Sequence, residues 1–208
     1  MYKYKAIIYD VDGTLLDTLK MNMIPLLKIL NEEGFKYFNY DSVLKYAAYP
    51  GMKVMTELGI NNPEEVYKRW VKYVNEYEEG ASIYPGVVDM LKQVESMHIV
   101  QAVVSAKTIN QYRIDVVAKG LDSFMTFRVL AEDTLRHKPD PEPLIRCCEA
   151  LKLQPNEVCY IGDSYADYRA AFDAGIDFIY AKWNGILDKR IITSIELNHP
   201  LELIKVLI

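Results

Sequence analysis

Asp10-Val11-Asp12-Gly13-Thr14-Leu15-Leu16-Asp17-Thr18 follows directly on the apolar run Ala6-Ile7-Ile8-Tyr9. The run predicts a strand buried on both faces, and Gly13 predicts a turn just beyond it. Two carboxylates one residue apart at such a strand end serve stability poorly. At about 4 Å and an effective dielectric near 20, two like charges repel by roughly 4 kcal/mol. A divalent cation is the obvious group to offset that repulsion. The plainer reading makes Asp10 and Asp12 turn formers, and the rest of the chain must decide between the two.

Outward from this stretch, short apolar runs alternate with helical patterns. Candidate strands are Tyr4–Tyr9, Ile99–Val104, Phe127–Leu130, Val158–Ile161 and Phe178–Ala181, near-continuous in hydrophobicity as doubly covered strands are. Helical spacing links Val87, Leu91 and Val94; Ile109, Tyr112 and Val116; and Leu144, Cys148 and Leu151. Ser164 to Ala174 continues the pattern and stops at Gly175. Alternation of this kind predicts βαβ units, hence an α/β fold with a Rossmann-like parallel sheet. Leu16 to Ile83 breaks it, with two apolar stripes (Leu19, Met23, Leu26, Leu27, Leu30 and Val66, Trp70, Tyr73, Val74, Tyr77) and no strand pattern between them. Residues 1–15 and 84–208 are therefore expected to form the α/β core, and 16–83 a small all-helical cap. Pro85-Gly86 restarts the core, with Pro suited to a first helical turn.

Three further signals fall at predicted strand ends or helix starts: Ser105 after Val103-Val104, Lys138-Pro139, and Gly162-Asp163-Ser164-Tyr165-Ala166-Asp167. In a parallel α/β sheet the C-terminal strand ends form the ligand crevice, so residues far apart in sequence would meet there. Several carboxylates, one lysine, one hydroxyl and backbone N–H groups suit a Mg²⁺-bound phosphoryl group, since Mg²⁺ takes one or two carboxylates plus phosphate oxygens. Each residue also has a plain structural reading. Asp163 could be a helix N-cap, Ser105 the cap of a helix beginning near Thr108, Lys138-Pro139-Asp140-Pro141 a helix-start loop, and Asp17 the cap of the first inserted helix.

These four motifs, in this order, resemble the haloacid dehalogenase-like superfamily of aspartate-nucleophile phosphatases, in the helical-cap branch typified by phosphoglycolate phosphatase and β-phosphoglucomutase. The likeness spans essentially the whole chain, the cap by position and character rather than by motif. The resemblance implies that Asp10 attacks phosphorus and that Asp12 protonates the leaving oxygen and then deprotonates water. It implies Mg²⁺ held by the Asp10 carboxylate, the Asp12 carbonyl and Asp163. Ser105, Ala106 through its backbone N–H, and Lys138 would bind phosphoryl oxygens, and Asp167 would support Lys138 or a metal water. Ala106 departs from the family, which often has Asn there, so a side-chain contact is missing. The acid at Asp12 favours phosphate esters over the substrates of branches that lack it. In relatives the cap closes over the core and reads the leaving group, which draws attention to the loop Tyr49-Pro50-Gly51-Met52-Lys53.

A net charge of −5 with no basic run argues against nucleic acid as a partner. No apolar stretch approaches the roughly 20 residues that span a bilayer, so no membrane partner and a cytoplasmic location are expected. Cys147, Cys148 and Cys159 lack metal-like spacing and read as reduced structural thiols. The histidines have no partner spacing; His137 alone stands near a motif. The expectation is a Mg²⁺-dependent phosphoric monoester hydrolase, monomeric or homodimeric, acting on a small phosphorylated metabolite. A sugar phosphomutase shares every motif. A non-catalytic binding protein on the same scaffold would have lost Asp10, Asp12 or Lys138, and none is lost.

Overall fold

A computed structural model describes residues 2–47, 49 and 51–208. The chain folds as two compact units, Met1–Asp17 with Ile83–Ile208, and Thr18–Ser82.

The first unit holds a parallel sheet of six strands: β1 (Ala6–Tyr9), β4 (Val100–Val104), β5 (Phe127–Val129), β6 (Val158–Gly162), β7 (Asp177–Ala181) and β8 (Glu196–Leu197), in the order β5-β4-β1-β6-β7-β8. Two-residue strands β2 (Leu16–Asp17) and β3 (Ser82–Ile83) lie outside it. The helices between sheet strands are α5 (Val87–Ser96), α6 (Ile109–Tyr112), α7 (Glu142–Leu151) and α8 (Tyr165–Ala174), with α9 (Leu203–Leu207) at the end. Every residue of β1 is buried, and β1 pairs with β4 on one side and β6 on the other. That accounts for its unbroken hydrophobicity, since a central parallel strand has no wet face. From β1 the chain builds outward to β5, then returns to build the other half. The reversal places the crevice at the carboxyl end of β1, where Asp10 follows.

The five strands read from the sequence are all present, displaced by at most two residues at their ends. β8 escaped that reading because two residues carry no periodicity. Pro85 precedes α5 rather than entering it; the helix starts at Val87 with Gly86 at φ +88° as its N-cap. All three cysteines are buried and free. No helix among the described residues is long and apolar enough to cross a membrane.

The second unit holds α1 (Leu19–Glu32), α2 (Tyr40–Val43), α3 (Gly51–Glu57) and α4 (Pro63–Asn75). Met23, Leu26 and Leu30 of α1 and Val66, Trp70 and Val74 of α4 are buried, as the stripes require. Trp70 Nε1 donates to the Asn22 carbonyl at 3.0 Å, and Arg69 pairs with Glu33 at 2.7 Å and with Glu32. The N-cap of α1 is Thr18, not Asp17. Lys53 is exposed and places its ammonium 4.5 Å from the Tyr49 ring centroid, while Pro50 lies outside the described residues.

Candidate active site

The strand end after β1 is shaped by backbone bonds. Asp10 N–H donates to the Ile161 carbonyl at 2.8 Å, and Leu15 and Leu16 N–H both return to the Val11 carbonyl at 2.9 Å. Gly13 sits at φ +81°, and a Cβ there would lie 2.2 Å from Asp163 Oδ2. Both the turn and the close approach of Asp163 exclude any larger side chain. The motif residues Val11, Leu15 and Leu16 are fully buried, so the same nine residues anchor the turn and present the carboxylates.

Asp10, Asp163 and Asp167 each bring a carboxylate oxygen within 4.8 Å of the others. Lys138 stands among them, its ammonium 2.7 Å from Asp10 Oδ1 and 2.6 Å from Asp167 Oδ1. It also donates to Tyr160 Oη at 2.8 Å, and that hydroxyl donates to Asp167 Oδ1 at 2.7 Å. Asp167 Oδ2 accepts from the Ser164 N–H at 3.0 Å and the Ser164 hydroxyl at 2.5 Å. Both oxygens of Asp167 are thus engaged, which fits a residue that holds Lys138 in place.

Asp163 is held differently. Asn184 donates to its Oδ2 at 2.7 Å and Thr14 to its Oδ1 at 3.4 Å. The Asn184 amide has one usable orientation, because its own Oδ1 accepts from the Ile186 N–H at 2.8 Å. Trp183 beside it donates to the Thr14 carbonyl at 2.9 Å, tying the loop after β7 to the turn after β1.

Three carboxylates, those of Asp10 and Asp167 buried and that of Asp163 half-buried, against one ammonium leave two negative charges uncompensated. Burial, only partly opposed by Lys138, pushes the Asp10 carboxyl up to about 7. Burial and then the neighbouring Asp167 and Asp10 carboxylates push Asp163 well above the usual range. Asp167 is lowered: burial works against its charge, but Lys138, Ser164 and Tyr160 outweigh it. Lys138 is raised, burial being overcome by Asp10 and Asp167. A hard divalent cation fits this donor set of oxygens and this excess of charge. Asp10 and Asp163, whose carboxylates are less fully bonded than that of Asp167, are the side chains suited to hold it.

Asp12 is held by a different lysine. Its Oδ1 is buried, and the Lys107 ammonium stands 3.0 Å from it as its ion-pair partner. Ser105 is buried, Ala106 is exposed, and both line one small cleft with Lys138, Thr134 and His137.

Several plain readings can now be set aside. The N-cap of α8 is Ser164, not Asp163, and the N-cap of α6 is Thr108, not Ser105. Lys107, Tyr160, Trp183 and Asn184 were not singled out by the sequence. Tyr160 read as strand packing and the Trp183-Asn184 loop has no periodicity. Lys107 offered one faint signal, a lysine two residues past a buried strand end.

A family model described as haloacid dehalogenase-like hydrolase matches residues 7–181. A Caldanaerobacter subterraneus protein provisionally named pyrophosphatase PpaX is 27% identical over 88% of this chain and 83% of its own. The phosphoglycolate phosphatase of Aquifex aeolicus is 27% identical over 98% of this chain and 96% of its own. Among solved structures, a Lactobacillus plantarum protein provisionally named phosphoglycolate phosphatase superposes with a TM-score of 0.90. It is 24% identical, covering 98% of this chain and 99% of that one, a likeness of fold.

Proposed function

The chain belongs to the haloacid dehalogenase-like hydrolases, and with that membership as premise we propose that it is a Mg²⁺-dependent phosphatase. Its substrate is a small phosphorylated metabolite and its intermediate an aspartyl-phosphate on Asp10. The observation that carries this reading is the excess negative charge of Asp10, Asp163 and Asp167 around one buried lysine. A stabilising core cluster has no use for that excess, whereas a cation and a transferring phosphoryl group do. Relatives named for phosphoglycolate and for pyrophosphate support phosphoryl chemistry and leave the substrate open.

In this reading an Asp10 oxygen attacks phosphorus as the bond to the leaving oxygen breaks. Asp12 supplies that oxygen with a proton. Asp12 then takes a proton from water, the water oxygen attacks phosphorus, and Asp10 departs with inorganic phosphate released. Lys138, steered by Tyr160 and Asp167, balances charge on Asp10 and on the phosphoryl oxygens. Ser105 and the Ala106 N–H bind those oxygens. Mg²⁺, held by Asp10, Asp163 and the Asp12 carbonyl, would neutralise phosphoryl charge. Uncatalysed monoester hydrolysis is so slow that accelerations up to about 10²¹-fold are known, which explains why all these groups are recruited together.

The test is phosphate release from 4-nitrophenyl phosphate, expected with Mg²⁺ and abolished by a chelator. A screen over sugar phosphates, phosphoglycolate, nucleotides and pyrophosphate then identifies the substrate. Release that persists undiminished with chelator would sink the metal assignment.

A further inference from the structure

Lys107 is, among the described residues, the buried cation of the core unit that the chemistry above leaves unused. Its side chain is 7% exposed, 3.0 Å from Asp12 Oδ1, and it donates to Asp115 Oδ2 at 2.6 Å. Asp115 is 2% exposed. It lies on the π-helical turn Arg113–Val117 that continues α6. The backbone of Lys107 is held from two directions, its N–H donating to Ser105 Oγ at 3.3 Å and its carbonyl accepting from the Ala131 N–H at 2.9 Å.

Such a lysine adds little to stability. Burying an ion pair costs about as much as the attraction returns, and an apolar replacement is often as stable or more so. π-helical turns are rare and recur at functional sites. The decisive detail is the asymmetry of Asp12. One carboxylate oxygen is buried against Lys107, yet 38% of the side chain is exposed. One carboxylate oxygen is therefore held toward the ammonium while the rest of the side chain stays accessible. Proton transfer needs the other oxygen within hydrogen-bond reach of the leaving group, and small misplacements of a catalytic group are costly.

We propose that Lys107 is a positioning residue that aims the carboxylate of Asp12, and that Asp115 is the anchor holding the Lys107 ammonium in place. This rests on the reading of Asp12 as acid and base. Lys107 alone, on a flexible four-carbon stem, could swing toward any anion in the crevice. Asp115 removes that freedom, so the lysine serves Asp12 and not the phosphoryl group.

The experiment compares kcat/KM for 4-nitrophenyl phosphate, whose leaving group needs no proton, with that for a simple alkyl phosphate, whose leaving group does. All proteins are full-length and supplied with Mg²⁺. For Lys107→Met the alkyl phosphate is expected to lose about 100-fold and the aryl phosphate less than about fivefold, the scale of general acid catalysis. Asp12→Asn should show the same split enlarged, Lys107→Arg should restore most of the alkyl activity, and Asp115→Asn should show the split in milder form. The double variant Lys107→Met/Asp115→Leu removes both buried charges and secures a folded protein, checked by circular dichroism, with the split intact. Equal losses on the two substrates, or an undiminished alkyl rate, would overturn the positioning role. Absence of phosphate release from both by the unaltered protein would instead overturn the phosphatase reading.

Discussion

Two lysines at the same sheet edge are each clamped between two aspartates, yet the two clusters are built to opposite ends. Lys138 lies between Asp10 and Asp167, all nearly inaccessible, with Asp163 close by as a third carboxylate. Lys107 lies between Asp115, equally buried, and Asp12, whose side chain is partly exposed. The first cluster carries more negative charge than its cation can balance and so is poised for an added cation. The second is closer to balance and directional. The difference separates the two aspartates of one short motif: Asp10 sits in the cluster with excess charge, and Asp12 in the one closer to balance.

The sharpest way to break this contrast is Asp10→Asn. It is expected to lower phosphate release by about 10³-fold or more, as removal of a covalent nucleophile does, and to raise the thermal midpoint of the metal-free protein by relieving repulsion. Retention of activity would remove Asp10 as nucleophile. Next, Lys138→Met leaves buried carboxylates unpaired and should cost about 3–5 kcal/mol in urea unfolding. Lys107→Met should cost less, because it strands one buried carboxylate, Asp115, while Asp12 can turn to water. Equal losses would mean the two clusters are energetically alike.

A smaller effect is expected from Asn184→Ala, which leaves the ligands untouched but frees Asp163. Calorimetric Mg²⁺ affinity should fall by about 10- to 100-fold, the usual scale for an outer-shell partner. The gentlest probe is pH. The folded-state carboxyl of Asp10 is raised from 3.8 to about 7, so between those values the folded form holds a proton that the unfolded chain has released. Stability of the metal-free protein is therefore greatest below about pH 4 with respect to this group and declines as pH rises through 7. Saturating Mg²⁺ should flatten the slope, measured by urea midpoints across that range.

Much of this was legible in the residues, and the limits have physical causes. Asp10, Asp12 and Asp163 could be read because carboxylates at the ends of apolar strands violate what a core tolerates. The parallel sheet could be read because doubly buried strands lose their alternation. Asp115 was legible in principle: it follows Tyr112 by three residues on the buried face, while its neighbours Ile114 and Val117 are exposed. A charge on an apolar stripe was the signal. Tyr160 and Asn184 were not legible, and Lys107 barely so, because their roles depend on which loop lies beside which strand end. No local pattern carries that information.

The central position of β1 also sets a timetable for the chain. Asp10 is made early, but its lysine partner lies 128 residues downstream and the Trp183 that ties down its turn lies 169 beyond Thr14. At about 5–20 residues per second, a nascent chain carries Asp10 for on the order of ten seconds before Lys138 is synthesised. No chain that stops short of Asn184 can assemble the whole site. The group of residues around Asp10 is thus complete only once the loop after β7 has been made.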